Sequence, residues 1–268
     1  MTDDDARPLV ALVGAGGWIG RHLGPSMLRS GAVAADQLVG IARSGPSEAY
    51  AAWPELRWER DLGAVDPVPD IVILSVRPQD FRSGVFRAEG SLVISMMAGV
   101  GATEIAERTG AVRVVRTMPN ATVELGRCFM PWHAPGTVET DDRSLVTAVL
   151  SSVGSCAEVA READVDAVGA LSGTGHAYPA LLAGALLAAA RSAGLSEEVA
   201  VRTVENIVCD AGELLRGRVT ETGAIVEQFM DYRGVTAAAL VKARELGFDE
   251  AVQAAIRAGI QRSSEPGW

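Results

Sequence analysis

Lysine is almost missing from this chain: of its 24 basic residues only Lys242 is a lysine, the others being arginine. Mechanisms that need a lysine at any other position, as Schiff-base former or as partner of a catalytic tyrosine, are therefore excluded. Cysteine is scarce as well. Cys128, Cys156 and Cys209 are odd in number and far apart, which fits neither a disulfide framework nor a zinc site, and a reducing cytoplasm is expected. The three histidines, His22, His133 and His176, are scattered, so no metal is expected. No basic cluster interrupts a net charge of −10, which argues against a nucleic-acid partner. Long apolar runs are missing too. The longest, Ala177 to Ala190, stops at Arg191 and falls short of the roughly 20 residues a membrane span needs. The opening "MTDDDARP" is acidic and polar, and neither a signal nor a transit peptide is expected there.

What is present is a globular composition, 48% hydrophobic and 22% charged, over 268 residues. That length suits one large domain or two modest ones. In the first half, short β-branched runs alternate with helical patterns. Strands are expected at Leu9–Val13, Leu38–Ala42, Asp70–Val76, Ser91–Met96 and Val112–Arg116, with weaker edge strands in "RCFMPWHA" and "CAEVA". Near-continuous apolar runs of this kind fit parallel strands covered on both faces, and hence a Rossmann-like doubly wound α/β sheet. Beyond Glu162 the chain becomes rich in Ala and Leu at helical spacing. Ser196 is expected to cap a helix, and Gly194 and Gly247 to end others. The expected organisation is a nucleotide-binding domain over 1–162 and an all-helical domain over 163–268. The helices carry more apolar surface than one small bundle can bury, so a second copy of the chain is the expected partner.

The first strand runs into "GAGGWIG". Gly14 and Gly16 suit the start of G-x-G-x-x-G, but position 19 is Ile; Gly14, Gly17 and Gly20 give G-x-x-G-x-x-G instead. Either spacing permits a tight turn and lets a pyrophosphate approach backbone N–H groups at a helix N-terminus. The second strand ends in "IARSG", with Arg43 and Ser44 where NAD-preferring sites usually carry an acid. A guanidinium and a hydroxyl suit a 2′-phosphate, which favours NADPH, although a solvated loop arginine is the plain alternative. The second spacing belongs to short-chain dehydrogenases, which need Tyr-x-x-x-Lys. Neither Tyr50, Tyr178 nor Tyr232 has a lysine four residues on, so that family is excluded.

Four more stretches, "SVRPQDF", "SMMAGV", "RTMPN" and "LSGTGHAY", follow in order. Together they resemble the motifs of the pyrroline-5-carboxylate reductases, and the resemblance covers nearly the whole chain. The glycine loop then matches the family's G-x-G-x-x-G with one residue added. The resemblance implies NADPH-dependent hydride transfer to a cyclic imine, pyrroline-5-carboxylate to proline or a related imino acid, and a homodimer or higher homo-oligomer. It places Gly14 and Gly16 at the pyrophosphate and Val76, Arg77 and Pro78 along the path from adenosine to nicotinamide. Ala98 and Asn120 fall near the nicotinamide.

The family loop S-P-G-G-T-T corresponds to "DYRGVT", residues Asp231 to Thr236, where only Gly234 and Thr236 are kept. By the match, Asp231, Arg233, Gly234, Val235 and Thr236 face the substrate, and the Thr236 hydroxyl hydrogen-bonds the imine nitrogen. Arg233 either binds a carboxylate bidentately or pairs with Asp231 on a solvated turn. Asp231 in turn is suited to an additional cationic group on a substrate. Loss of a glycine at 233 restricts φ and is expected to reshape the turn. His176 replaces a proline; an imidazole there either protonates the developing amine or simply hydrogen-bonds at a helix start. Met97 replaces an alanine beside the expected nicotinamide. These changes surround the substrate and not the cofactor. A reductase of a different imine in a specialised biosynthetic pathway, or a non-catalytic NADP-binding paralogue, therefore stands beside the family reaction. Reduction of an alcohol or ketone lacks an evident acid–base pair.

Overall fold

The computed structural model describes residues 7–175 and 177–263. His176 and its expected role lie outside the described residues. Two compact units are formed. One runs to Gly173 and takes in the chain again from Arg262; the other is Thr174–Gln261.

The first unit is built on an eight-stranded sheet: β1 (Val10–Val13), β2 (Leu38–Ile41), β3 (Arg57–Glu59), β4 (Ile71–Leu74), β5 (Leu92–Ser95), β6 (Arg113–Thr117), β7 (Cys128–His133) and β8 (Gly154–Glu158). Their spatial order is β3-β2-β1-β4-β5-β6-β7-β8. All pairings are parallel except β6 with β7, which is antiparallel. Every residue of β1, β2, β4 and β5 is buried, the pattern of strands covered on both faces. The expected strands are found, the two edge segments among them. β3 was not anticipated. Its sequence, "RWE", is polar and half exposed because it edges the sheet and buries only one side.

Alternation along the strands sorts the core into two layers. Val10, Leu12, Ile71, Ile73, Leu92 and Ile94 pack with Leu23 and Met27 of α1 (Gly20–Ser30) and with Tyr50. Ala11, Val13, Val72, Leu74 and Val93 pack on the opposite face. There they meet Phe81 of α2 (Pro78–Ser83) and Ile105 of α3 (Ala102–Thr109). Met97 belongs to this second layer and is buried, so its side chain fills core. Pro25 sits inside α1 without ending it. The antiparallel corner is closed by α4 (Thr140–Ser151), capped at its start by the reciprocal Glu139–Asp142 box. α5 (Glu162–Gly175) then begins the helical half of the chain.

The second unit contains α6 (Ala177–Ser192), α7 (Glu197–Glu205), and a π-helical turn Asn206–Asp210 that leads into α8 (Ala211–Glu213). α9 (Thr222–Asp231), α10 (Val235–Glu245) and α11 (Phe248–Ser263) follow. Ser196 caps α7 through its hydroxyl, and Gly194 and Gly247 adopt the left-handed conformation that helix ends favour. Few apolar side chains here are buried in the single chain. Leu181, Leu214, Val219, Val235 and Leu246 are all at least two-thirds exposed. No described helix is long and apolar enough to cross a membrane.

Candidate functional site

At the C-terminal edge of β1 the chain turns so sharply that side chains are excluded. Gly14 has φ +84°, and a Cβ there would meet the Ser75 carbonyl oxygen without room to move. Gly20 opens α1 against the backbone of Gly14 and Ala15, again with no room for a Cβ. Gly17 is tight, with the Gly14 oxygen 3.0 Å from an added Cβ, whereas at Gly16 the nearest atoms lie at ordinary contact distance. Sterics therefore enforce glycine at 14 and 20 and leave little room for a side chain at 17. Gly16 and Gly17 are exposed. The backbone N–H groups of Gly16, Trp18 and Ile19 have no partner among the described residues. Unpaired N–H groups just before a helix N-terminus form an anion cradle. The donor set fits a pyrophosphate, and the close-packed Gly14 and Gly20 fit the turn that presents it.

Two side chains that the sequence did not flag hold this turn. Tyr50 is buried; its hydroxyl donates to the Gly20 carbonyl at 2.7 Å and lies 3.3 Å from that of Ala15. Its ring stands edge-on to Trp58, centroids 5.1 Å apart, and it occupies the space left by Gly24. Burial pushes the Tyr50 phenol well above its ordinary pKa. Trp18, the residue after the exposed glycines, donates from Nε1 to Glu124 Oε1 at 2.5 Å, so the turn is tied to the segment after β6.

The neighbouring loops carry the other expected cofactor residues. Arg43 and Ser44 follow β2 and are exposed. Arg43 Nη2 is 3.6 Å from Asp80 Oδ1 of α2. Val76 is half-buried, Arg77 is the exposed N-cap of α2, and Pro78 is its first residue, where a missing N–H does no harm. Ala98 is half-buried in the turn after β5. Asn120 is buried, and its side chain shapes its own loop: Oδ1 accepts from the Thr122 N–H at 3.0 Å, and Nδ2 donates to the Phe129 carbonyl at 3.4 Å.

Arg116, the arginine of "RTMPN", is 3% exposed. Its guanidinium donates to Asp166 Oδ1 at 2.7 Å and Oδ2 at 3.0 Å, and to Glu162 Oε1 at 3.0 Å. Glu162 Oε1 also accepts the N–H of Ala102, the first residue of α3, at 2.8 Å. One cation thus joins the end of β6, the start of α5 and the start of α3. Burial alone would lower its pKa, but the hydrogen bonds and charge of Asp166 and Glu162 outweigh that, and the net shift is upward. The signal in the sequence was available: an arginine in a buried strand implies a carboxylate partner, and Glu162 and Asp166 lie one helical turn apart.

In the helical unit, Asp231 ends α9 and Gly234 caps α10. Between them Arg233 has φ +47°, the left-handed region that glycine favours. A non-glycine residue thus holds a backbone conformation in this turn that a glycine would adopt at less cost. Asp231, Tyr232, Arg233, Gly234, Val235 and Thr236 are all exposed. Asp231 and Arg233 form no ion pair among the described residues, so of the two readings of this turn the mutual pairing has no counterpart. No group of three metal-ligating side chains occurs among the described residues.

Comparison with known proteins adds the following. Residues 162–266 match the family model described as pyrroline-5-carboxylate reductase dimerisation. A pyrroline-5-carboxylate reductase of Synechocystis is 30% identical over 204 residues, 75% of this chain and 76% of that one. One from Pseudomonas aeruginosa is 31% identical over 203 residues, 73% of this chain and 74% of that one. Among solved structures, the Plasmodium falciparum pyrroline carboxylate reductase with NADP bound superposes with a TM-score of 0.79 at 21% identity, covering 96% of this chain and 97% of that one. At that identity the likeness speaks for the fold.

Proposed function

Because the chain belongs to the pyrroline-5-carboxylate reductase family, we propose that it is an NADPH-dependent reductase of a cyclic imino acid, pyrroline-5-carboxylate to proline being the family reaction. The observation that carries the cofactor half of this reading is the glycine turn with its unpaired N–H groups. When bound, NADPH supplies the hydride that reduces the imine carbon. The chain's own work is binding and orientation. Gly14, Gly16, Gly17 and Gly20 shape the pyrophosphate cradle, and Arg43 and Ser44 meet the 2′-phosphate. Val76, Arg77, Pro78, Ala98 and Asn120 border the rest of the cofactor. Thr236 donates to the imine nitrogen and holds the substrate in register. Gly234 and Val235 offer backbone, and Arg233 a guanidinium, to the substrate carboxylate. His176 is kept as a proton donor to the developing amine.

A different imine as natural substrate has a specific observation in its favour: the Arg233 guanidinium and the Asp231 carboxylate both stand free of each other in a turn where the family carries small residues. A homodimer or higher oligomer is supported by the matched dimerisation model and by the exposed leucines and valines of the helical unit. The functional division at 162/163 is supported by the start of that match, although compactness divides the chain at 173/174. The three unpaired cysteines support a reducing, cytoplasmic setting.

The test is oxidation of NADPH by the purified chain with pyrroline-5-carboxylate beside a panel of cyclic imines. Reduction of one of them, with turnover reduced about a hundredfold in Thr236→Ala, is the expected result. Tight NADPH binding with no imine reduced would make the chain a non-catalytic paralogue.

A further inference from the structure

Residues 42–47, immediately after β2, include no carboxylate, yet the tertiary structure brings one to them. Three residues separate α2 from β4, the strand on the far side of β1 from β2. Its first turn puts Asp80 Oδ1 3.6 Å from Arg43 Nη2. Arg43 follows Ala42, which lies beside Gly16 of the glycine turn, and Gly14 of that turn packs closely on Ser75, the first residue after β4. Arg43 is 87% and Asp80 39% exposed at the side chain, so both are open to a ligand.

In a parallel dinucleotide-binding sheet the adenosine ribose lies at the end of the second strand. An acid there accepts from the 2′-hydroxyl of NADH, and a cation receives the 2′-phosphate of NADPH. This chain places both at one point. We propose that Asp80 is a specificity-determining residue that makes the site accept either dinucleotide. Its carboxylate accepts from the ribose hydroxyls of NADH. Against NADPH it acts twice, competing with the phosphate for Arg43 and repelling a group that carries nearly two negative charges. The pair is solvated, so its influence is moderate and weakens with salt. The proposal rests on the nucleotide reading above and is independent of which imine is reduced.

Calorimetric titration of the whole chain with NADP+ and with NAD+ tests it without any imine. The unaltered protein is expected to bind both. Asp80→Asn is expected to tighten NADP+ and weaken NAD+, moving the ratio of the two dissociation constants by about fivefold at low salt, less at high salt. Asp80→Glu, which keeps the charge, should stay near the original ratio. A ratio unchanged in Asp80→Asn, or an equal loss for both ligands, overturns the proposal and leaves the nucleotide site standing. Failure of the unaltered chain to bind either dinucleotide overturns the nucleotide reading and this inference with it.

Discussion

Removing one oxygen atom, in Tyr50→Phe, isolates the support beneath the glycine turn. The ring stays where Gly24 and Trp58 receive it, so packing is unchanged. What is lost is the hydroxyl that donates to Gly20 at 2.7 Å and approaches Ala15 at 3.3 Å. Loss of this buried hydrogen bond costs about 1 kcal/mol, since the Gly20 carbonyl lies inside α1 and keeps its helical N–H donor. That loss depends on pH, and its sign follows from the phenol. Burial raises the folded-state pKa above the ordinary value of about 10. The folded chain therefore keeps the proton while the unfolded chain releases it. The stabilisation is fully present below pH ~10 and falls as pH rises from there toward the folded-state pKa. One unit above the unfolded pKa, about 1.4 kcal/mol is gone. Urea denaturation of the two proteins, followed by tryptophan emission, should give a lower midpoint for Tyr50→Phe at pH 8. By pH 11 the two midpoints should converge. A separation that persists undiminished at pH 11 would refute the account of a buried, protonated Tyr50. Equal midpoints at pH 8 would refute the hydrogen bonds.

Gly20→Ala should fold poorly or lose dinucleotide binding by at least tenfold, since its Cβ would be forced onto the Gly14 carbonyl; Gly16→Ala, with ordinary contacts, should fold normally, and titration with NADP+ separates them. Arg116→Met leaves Glu162 and Asp166 facing a partly buried site without their cation, and is expected to destabilise by about 3 kcal/mol, read as a lower thermal midpoint. Arg116→Lys should recover only part of it, because an ammonium cannot reach both carboxylates with the planar fork that Arg116 uses.

Composition and periodicity determined much of this protein. Apolar, β-branched runs such as "VALV" and "IVIL" can only be satisfied as strands covered on both faces, and alternating helices then dictate a parallel sheet with its ligand edge at the strand ends. The glycine turn, the missing acid after β2 and the motifs through "RTMPN" were local enough to read. β3 was not, because three polar residues gain their strand character only from the neighbour they pair with. Nor were the partnerships that make the site. Asp80 reaches Arg43 across 37 positions of sequence, and Tyr50 supports a turn 30 positions away, because β2 and β4 both lie beside β1. Arg116 meets Asp166 fifty positions later for a similar reason. A sequence lists which side chains carry charge or a hydroxyl. Which of them come within 4 Å of one another is set by strand order, and strand order is a property of the whole sheet.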